Sequence, residues 1–140
     1  MTERLVVHVD GGARGNPGPA AIAAVLAEPD GGVVDEHAET IGRATNNVAE
    51  YRALLLGIER ARALGARELE LVGDSELIVR QVRGEYKVKD AALRELHVKV
   101  RAALEGLDRW TIRNVPREEN ANADRLVNEA LDTEIDQKEA

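Results

Sequence analysis

The stretch that most narrows what this chain can become is Pro29-Asp30-Gly31-Gly32, set between apolar runs at residues 20–27 and 33–41. Glycine accepts the positive φ that tight reversals demand, so the two runs are expected to pair as an antiparallel hairpin. Ahead of them, residues 4–10 (RLVVHVD) are a β-branched run that ends in GGARGNPGP, a strand running into a turn. The first third of the chain therefore reads as an antiparallel meander.

The hydrophobic period then changes. Tyr51, Leu54, Leu55, Ile58, Ala61 and Leu64 recur at the spacing of an amphipathic helix, with Gly65 as its stop. Residues 68–73 (ELELVG) alternate as a strand and lead through Asp74-Ser75 into a short helix at 77–82. Asp90 caps a third helix carrying Leu93, Leu96, Val100, Ala103 and Leu104 on one face. Residues 110–115 are the last strand, stopped by Pro116. Ala123, Leu126, Val127, Ala130 and Leu131 mark a final helix, and a polar, frayed tail is expected from Thr133. The order β-β-β-α-β-α-α-β-α, without repeat or linker, predicts one α/β domain over residues 1–132 with a tail at 133–140. Its architecture is one mixed sheet covered by helices.

Composition bounds the chemistry. A chain of 140 residues, 44% hydrophobic, suits a single core, and with only Tyr51, Tyr86 and Trp110 as aromatics that core must be aliphatic. The absence of cysteine excludes disulfides, thiolate-bound zinc, iron–sulfur clusters and cysteine nucleophiles. A formal charge of −7 argues against nucleic-acid affinity through overall basicity, so such a substrate needs a local site or a bridging cation. No run approaches the roughly 20 apolar residues of a membrane span, and no secretory signal pattern opens the chain; a cytoplasmic protein with no membrane contact is expected.

Four acids have ordinary explanations when taken singly. Asp10 precedes Gly11-Gly12 as a turn residue would; Glu50 follows Asn47 as in a capping box; Asp74 stands where a helix N-cap belongs; Asp124 suits the first turn of the last helix. Their placement argues otherwise. Glu50 shares the apolar stripe with Leu54 and Ile58, and Asp124 lies about two turns before Leu131, so both face the sheet. Asp10 and Asp74 are each read as ending a strand, where ligands of α/β sheets collect. Two carboxylates about 4 Å apart repel by about 4 kcal/mol at an effective dielectric near 20, so a converging set requires protons or cations. All-oxygen ligands favour Mg²⁺ or Mn²⁺ over zinc, and a pocket holding two such ions suits phosphodiester hydrolysis.

With these acids in hand, the sequence resembles type 1 ribonucleases H from Leu5 to about Leu131. The matching segments are VDGGARGNPGPA around Asp10, ATNNVAEYRALLLGI around Glu50, GDSELIVRQVRGEYKVK from Asp74 and NANADRLVNEAL around Asp124. The resemblance implies the ribonuclease H-like fold: a five-stranded mixed sheet, three antiparallel strands then two parallel, flanked by helices. It also implies endonucleolytic cutting of the RNA strand of RNA–DNA hybrids with two Mg²⁺ ions, leaving 3′-hydroxyl and 5′-phosphate ends, with Mn²⁺ as an alternative. Asp10 would bridge both ions, Glu50 and Asp74 would share the one that positions the attacking water, and Asp124 would complete the second site. A monomer is expected.

The resemblance extends to substrate contacts. Gly11 and Gly12 let backbone amides approach the nucleic acid; Asn16, Asn46 and Gln81 match minor-groove contacts, and Arg43, Thr45 and Asn47 lie where the DNA backbone is gripped. Each also has a plain reading, as turn or cap chemistry for the asparagines and an exposed helix face for Gln81. Ser75 would touch an RNA 2′-hydroxyl, Tyr86 pack on a DNA sugar, and Lys87 and Lys89 meet phosphates. Two departures stand out. The loop VPREENANAD lacks the histidine that many relatives carry there, leaving Arg117, Glu118 or Glu119 to assist, with Arg117 preferred. The segment 84–90 is short, without a basic protrusion, which predicts weaker hybrid binding. His8, His37 and His97 are read as structural or solvated. A catalytically silent hybrid-binding module and a DNA strand-transfer or junction nuclease stay open as alternatives.

Overall fold

The computed structural model describes the backbone of residues 3–139 and the side chains through residue 134. Strands β1 (Arg4–Ala13), β2 (Gly18–Ala27) and β3 (Val33–Ala44) form the meander. Helix α1 (Asn46–Ala63), β4 (Glu68–Gly73), α2 (Glu76–Val82), α3 (Ala91–Glu105) and β5 (Arg109–Asn114) follow, then a 3₁₀ turn (Arg117–Asn120) and α4 (Ala121–Glu139). The sheet order is β3-β2-β1-β4-β5, with β1, β2 and β3 antiparallel and β4 and β5 parallel to β1. This is the mixed five-stranded sheet that the element order predicts.

The sheet alternates its faces. Leu5, Val7 and Val9 with Ile22 and Leu26 point into the main core under α1, α2 and α3. Ala21 and Ala23 point the opposite way and form a second buried cluster with Val127 and Leu131 of α4. Helix α1 lies unusually close to the sheet, because a Cβ on Gly57 would stand 2.7 Å from Val7 and 2.8 Å from Val9.

Several boundaries differ from the sequence reading. β1 does not stop at Asp10: Gly11, Gly12 and Ala13 stay paired with Ile22, Ala21 and Ala20, so the glycine-rich segment begins as strand. Asp10 is therefore inside β1 and not at its end. α1 is capped by Thr45, whose Oγ1 accepts the Val48 amide, and α2 by Ser75, whose Oγ accepts from Ile78. Neither the Asn47 capping box nor an Asp74 cap forms; hydroxyls one or two residues away do that work, leaving both acids unengaged by helix ends. The backbone of α4 continues to Glu139, with no break at Thr133, since no glycine or proline interrupts residues 121–139. Among the described residues, no helix is long and apolar enough to cross a membrane.

Candidate active site

Parallel pairing of β1 and β4 assembles the acids. His8 opposes Val72 in the ladder, which brings Asp10, two residues further along β1, beside Asp74, the residue that follows the end of β4. Glu50 arrives from the first turns of α1 because Gly11 has no side chain: a Cβ there would strike the Ala49 carbonyl and lie 2.7 Å from the Glu50 amide. The Gly11 backbone lies beside the Glu50 carboxyl and slightly favours its charged form. One oxygen each from Asp10, Glu50 and Asp74 falls within 4.8 Å of the others. Asp124 on α4 is outside that set, yet it lines the same cleft and is near enough for its charge to raise Asp10.

Electrostatics confirm the crowding. Burial, then the charges of Asp74 and Asp124, push Asp10 from 3.8 to about 7. Glu50 is driven well above its ordinary value by burial and then by Asp10 and Asp74. Asp74 is raised by burial, against the pull of Arg117, whose Nε is 3.9 Å from Asp74 Oδ2. Buried like charges this close favour the protonated form, so without a cation the cluster retains protons that an exposed carboxylate would have released. Asp74 Oδ2 is also buried without a hydrogen-bond donor. An orphaned hard oxygen amid raised carboxyls is the environment that a divalent cation satisfies.

The cleft around these acids has a volume of about 450 Å³. Gly11, Gly12, Asn46, Asn47, Ser75 and Arg117 line it. Asn16 and Asn46 act within the fold: Asn16 Oδ1 accepts from the Asn46 amide at 3.1 Å, and Asn46 Oδ1 from the Ala13 amide at 2.8 Å, stitching the glycine-rich turn to α1. Thr45 is spent as the α1 cap, and Arg43 is exposed with Nη2 3.5 Å from the Pro17 carbonyl. Tyr86, Lys87 and Lys89 are exposed on the α2–α3 loop and do not line the cleft. Glu118 borders a separate hollow with His8 and Asn120, so it is not brought to the cleft.

Gln81 is the clear correction. It is 5% exposed, where an outward helix face or a groove contact was expected. Its Oε1 accepts from the Tyr51 hydroxyl at 2.6 Å and its Nε2 points to the Lys87 carbonyl at 3.4 Å. Two residues escaped the sequence reading. Arg14 lines the cleft and is held by Asp132 at 2.7 Å; as the one cation in GGARGNPGP it could have been noticed. Asn120 is 1% exposed, donates to the Val9 carbonyl at 2.8 Å and bonds His8 Nδ1 at 3.1 Å, anchoring the 3₁₀ turn beside Asp10. Nothing local marks a loop asparagine as buried. His97 Nε2 meets the Gln81 carbonyl at 3.0 Å, and His37 lies 3.6 Å from Glu39.

A family model described as reverse transcriptase-like matches residues 8–130. The chain is 50% identical over 129 residues to ribonuclease HI of Halobacterium salinarum, covering 92% of this chain and 65% of that protein. It is 46% identical over 130 residues to a bifunctional protein of Mycobacterium tuberculosis, covering 92% of this chain and 36% of that one. The chain thus spans about two thirds of one of these curated relatives and about a third of the other. Among solved structures, the crystal structure of RNase H1 from H. salinarum superposes with a TM-score of 0.91 at 49% identity, covering 93% of this chain and 98% of that chain. An RNase H1 isolated from compost, solved in complex with an RNA/DNA hybrid, gives 0.89 at 43% identity, covering 94% and 99%.

Proposed function

Given that this chain belongs to the type 1 ribonuclease H family, we propose that it is an endoribonuclease that hydrolyses the RNA strand of RNA–DNA hybrids, leaving 3′-hydroxyl and 5′-phosphate ends. The observation that carries this reading is the trio of Asp10, Glu50 and Asp74 oxygens within 4.8 Å of one another. Raised carboxyls, an orphaned Asp74 oxygen and an all-oxygen donor set fit hard divalent ions, Mg²⁺ first and Mn²⁺ as the alternative. Asp10, Glu50 and Asp74 would hold one ion, and Asp10 with Asp124 the other. Bound there, such ions supply Lewis acidity to the water and to the leaving oxygen.

The chain's own groups do the rest. Gly11 keeps Glu50 aimed into the cleft, and Asn120 fixes the turn that carries Arg117. Arg117, near Asp74 and 77% exposed in its side chain, is free to follow charge onto the departing phosphate. Ser75 lines the cleft as a hydrogen-bonding partner for an RNA 2′-hydroxyl, and Asn47 lines it as a partner for the DNA backbone. Arg43, Lys87 and Lys89 lie outward as backbone contacts. A monomer working in the cytoplasm completes the proposal.

The test is cleavage of labelled RNA–DNA hybrid, matched single-stranded RNA and matched DNA duplex with Mg²⁺, Mn²⁺ or chelator. Cutting of the hybrid's RNA strand alone, and only with a metal, is the expected result. Equal cutting after complete metal removal, or preferential cutting of duplex DNA, would refute it.

A further inference from the structure

We infer that Gln81 and Arg94 are positioning residues that hold residues 86–89 as a preformed grip for a nucleic-acid backbone. The inference rests on the hybrid-cleaving reading above for the identity of what is gripped, but its geometry stands by itself. On a chain with formal charge −7, two of the four lysines, Lys87 and Lys89, stand exposed in one short loop beside the half-exposed Tyr86.

That loop has no helix or strand to hold it, yet its backbone is held carbonyl by carbonyl. Gly84, at φ +84°, turns the chain after α2, and the Glu85 and Tyr86 amides both donate to the Arg80 carbonyl at 2.9 and 3.3 Å. Three consecutive carbonyls then accept from side chains. Gln81 Nε2 reaches Lys87 at 3.4 Å, Arg94 Nε reaches Val88 at 3.2 Å and Arg94 Nη2 reaches Lys89 at 2.8 Å. Val88 packs on the main core between them. The burial alternation turns both lysines outward, about 7 Å apart for residues two positions apart in extended chain, a spacing at which each can meet a successive phosphate.

The amide of Gln81 is itself oriented. The Tyr51 hydroxyl donates to Oε1, which leaves Nε2 as the end that faces the loop, and the His97 ring lies edge-on to Tyr51 at 6.3 Å. Gln81 and Arg94 thus aim donors at the backbone of the loop, and the salt slope of binding separates that role from a direct phosphate contact by the remaining N–H groups of Arg94. Holding the loop in advance spares the ordering cost at binding.

The test is fluorescence anisotropy of labelled RNA–DNA hybrid, in chelator so that no cleavage intervenes, over a series of salt concentrations. Lys87→Ala should weaken binding and flatten the slope of log affinity against log salt by about 0.9. Arg94→Ala should weaken binding about tenfold, the worth of fixing one residue's backbone, while leaving the slope unchanged because both lysines remain. With Mg²⁺ present, its KM should rise and its kcat hold. Gln81→Met should act in the same direction; should it fail to fold, exposed Arg94 carries the test. Unchanged affinity in Arg94→Ala overturns the inference, and so does a slope that falls as in Lys87→Ala, which would make Arg94 a phosphate ligand. Wild-type protein that binds hybrid but does not cut it with Mg²⁺ would overturn the functional reading and leave the grip to be judged on affinity alone; failure to bind hybrid at all would overturn both.

Discussion

Replacing Asp10 with asparagine should make the metal-free protein more stable, although it removes a group at the centre of the proposed chemistry. Folded Asp10 titrates at about 7 against 3.8 for the free side chain, for reasons of burial first and then of Asp74 and Asp124. Between those values the folded chain keeps a proton that the unfolded chain has released, so stability falls as pH rises through that window. Above about 7 the whole penalty is in place, and a shift of about three units corresponds to about 4 kcal/mol. The neighbouring carboxyls titrate together with Asp10, so a gain of about 2 to 4 kcal/mol is expected for Asp10→Asn at pH 8. Urea unfolding in chelator reads this directly: with a slope of about 1 to 3 kcal/mol per molar, the midpoint should rise by about 1 M or more. At pH 5, where folded Asp10 is already protonated, the gap should shrink to less than half. Saturating Mg²⁺ should reverse the order, because the wild type alone gains full cation binding. A variant no more stable than wild type at pH 8 in chelator would mean that these oxygens do not strain against one another, and the case for a cation-requiring cluster would go with it.

Three further substitutions probe other parts of the structure. Gly11→Ala drives a Cβ into the Ala49 backbone and should cost about 1 to 3 kcal/mol in a thermal melt, with cleavage falling further than the lost stability explains because Glu50 is displaced. Arg117→Ala should lower kcat about tenfold, or about 1.4 kcal/mol of transition-state stabilisation, while leaving the melting temperature in place because the side chain is exposed. Tyr51→Phe strips the buried Gln81 Oε1 of its donor and should cost about 1 to 3 kcal/mol by denaturant titration; no loss would mean that another donor takes over.

Much of the fold was legible because its signals are local. The turn at residues 28–32, with Gly31 at φ +99°, and the stripe from Tyr51 to Ile58 needed no knowledge of distant residues. The inward face of Glu50 followed from that stripe. The meeting of Asp10 and Asp74 did not, since it depends on a β1–β4 register set across more than sixty positions. Gln81 was misread because α2 runs only seven residues, too few for a periodic pattern to separate an inward glutamine from an outward one. What buries it is a tyrosine hydroxyl thirty positions earlier. The caps at Thr45 and Ser75 were missed because each helix start offers several oxygen-bearing side chains in a row, and backbone geometry alone picks among them.

The two faces of the sheet leave the four acids unequally founded. Three of them stand on elements of the main core, while Asp124 stands on a helix that packs through Val127 and Leu131 onto Ala21 and Ala23, in a smaller cluster on the other face. Asp124 thus depends on packing that the other three do not share, so a cavity opened at Val127 or Leu131 would reach it first.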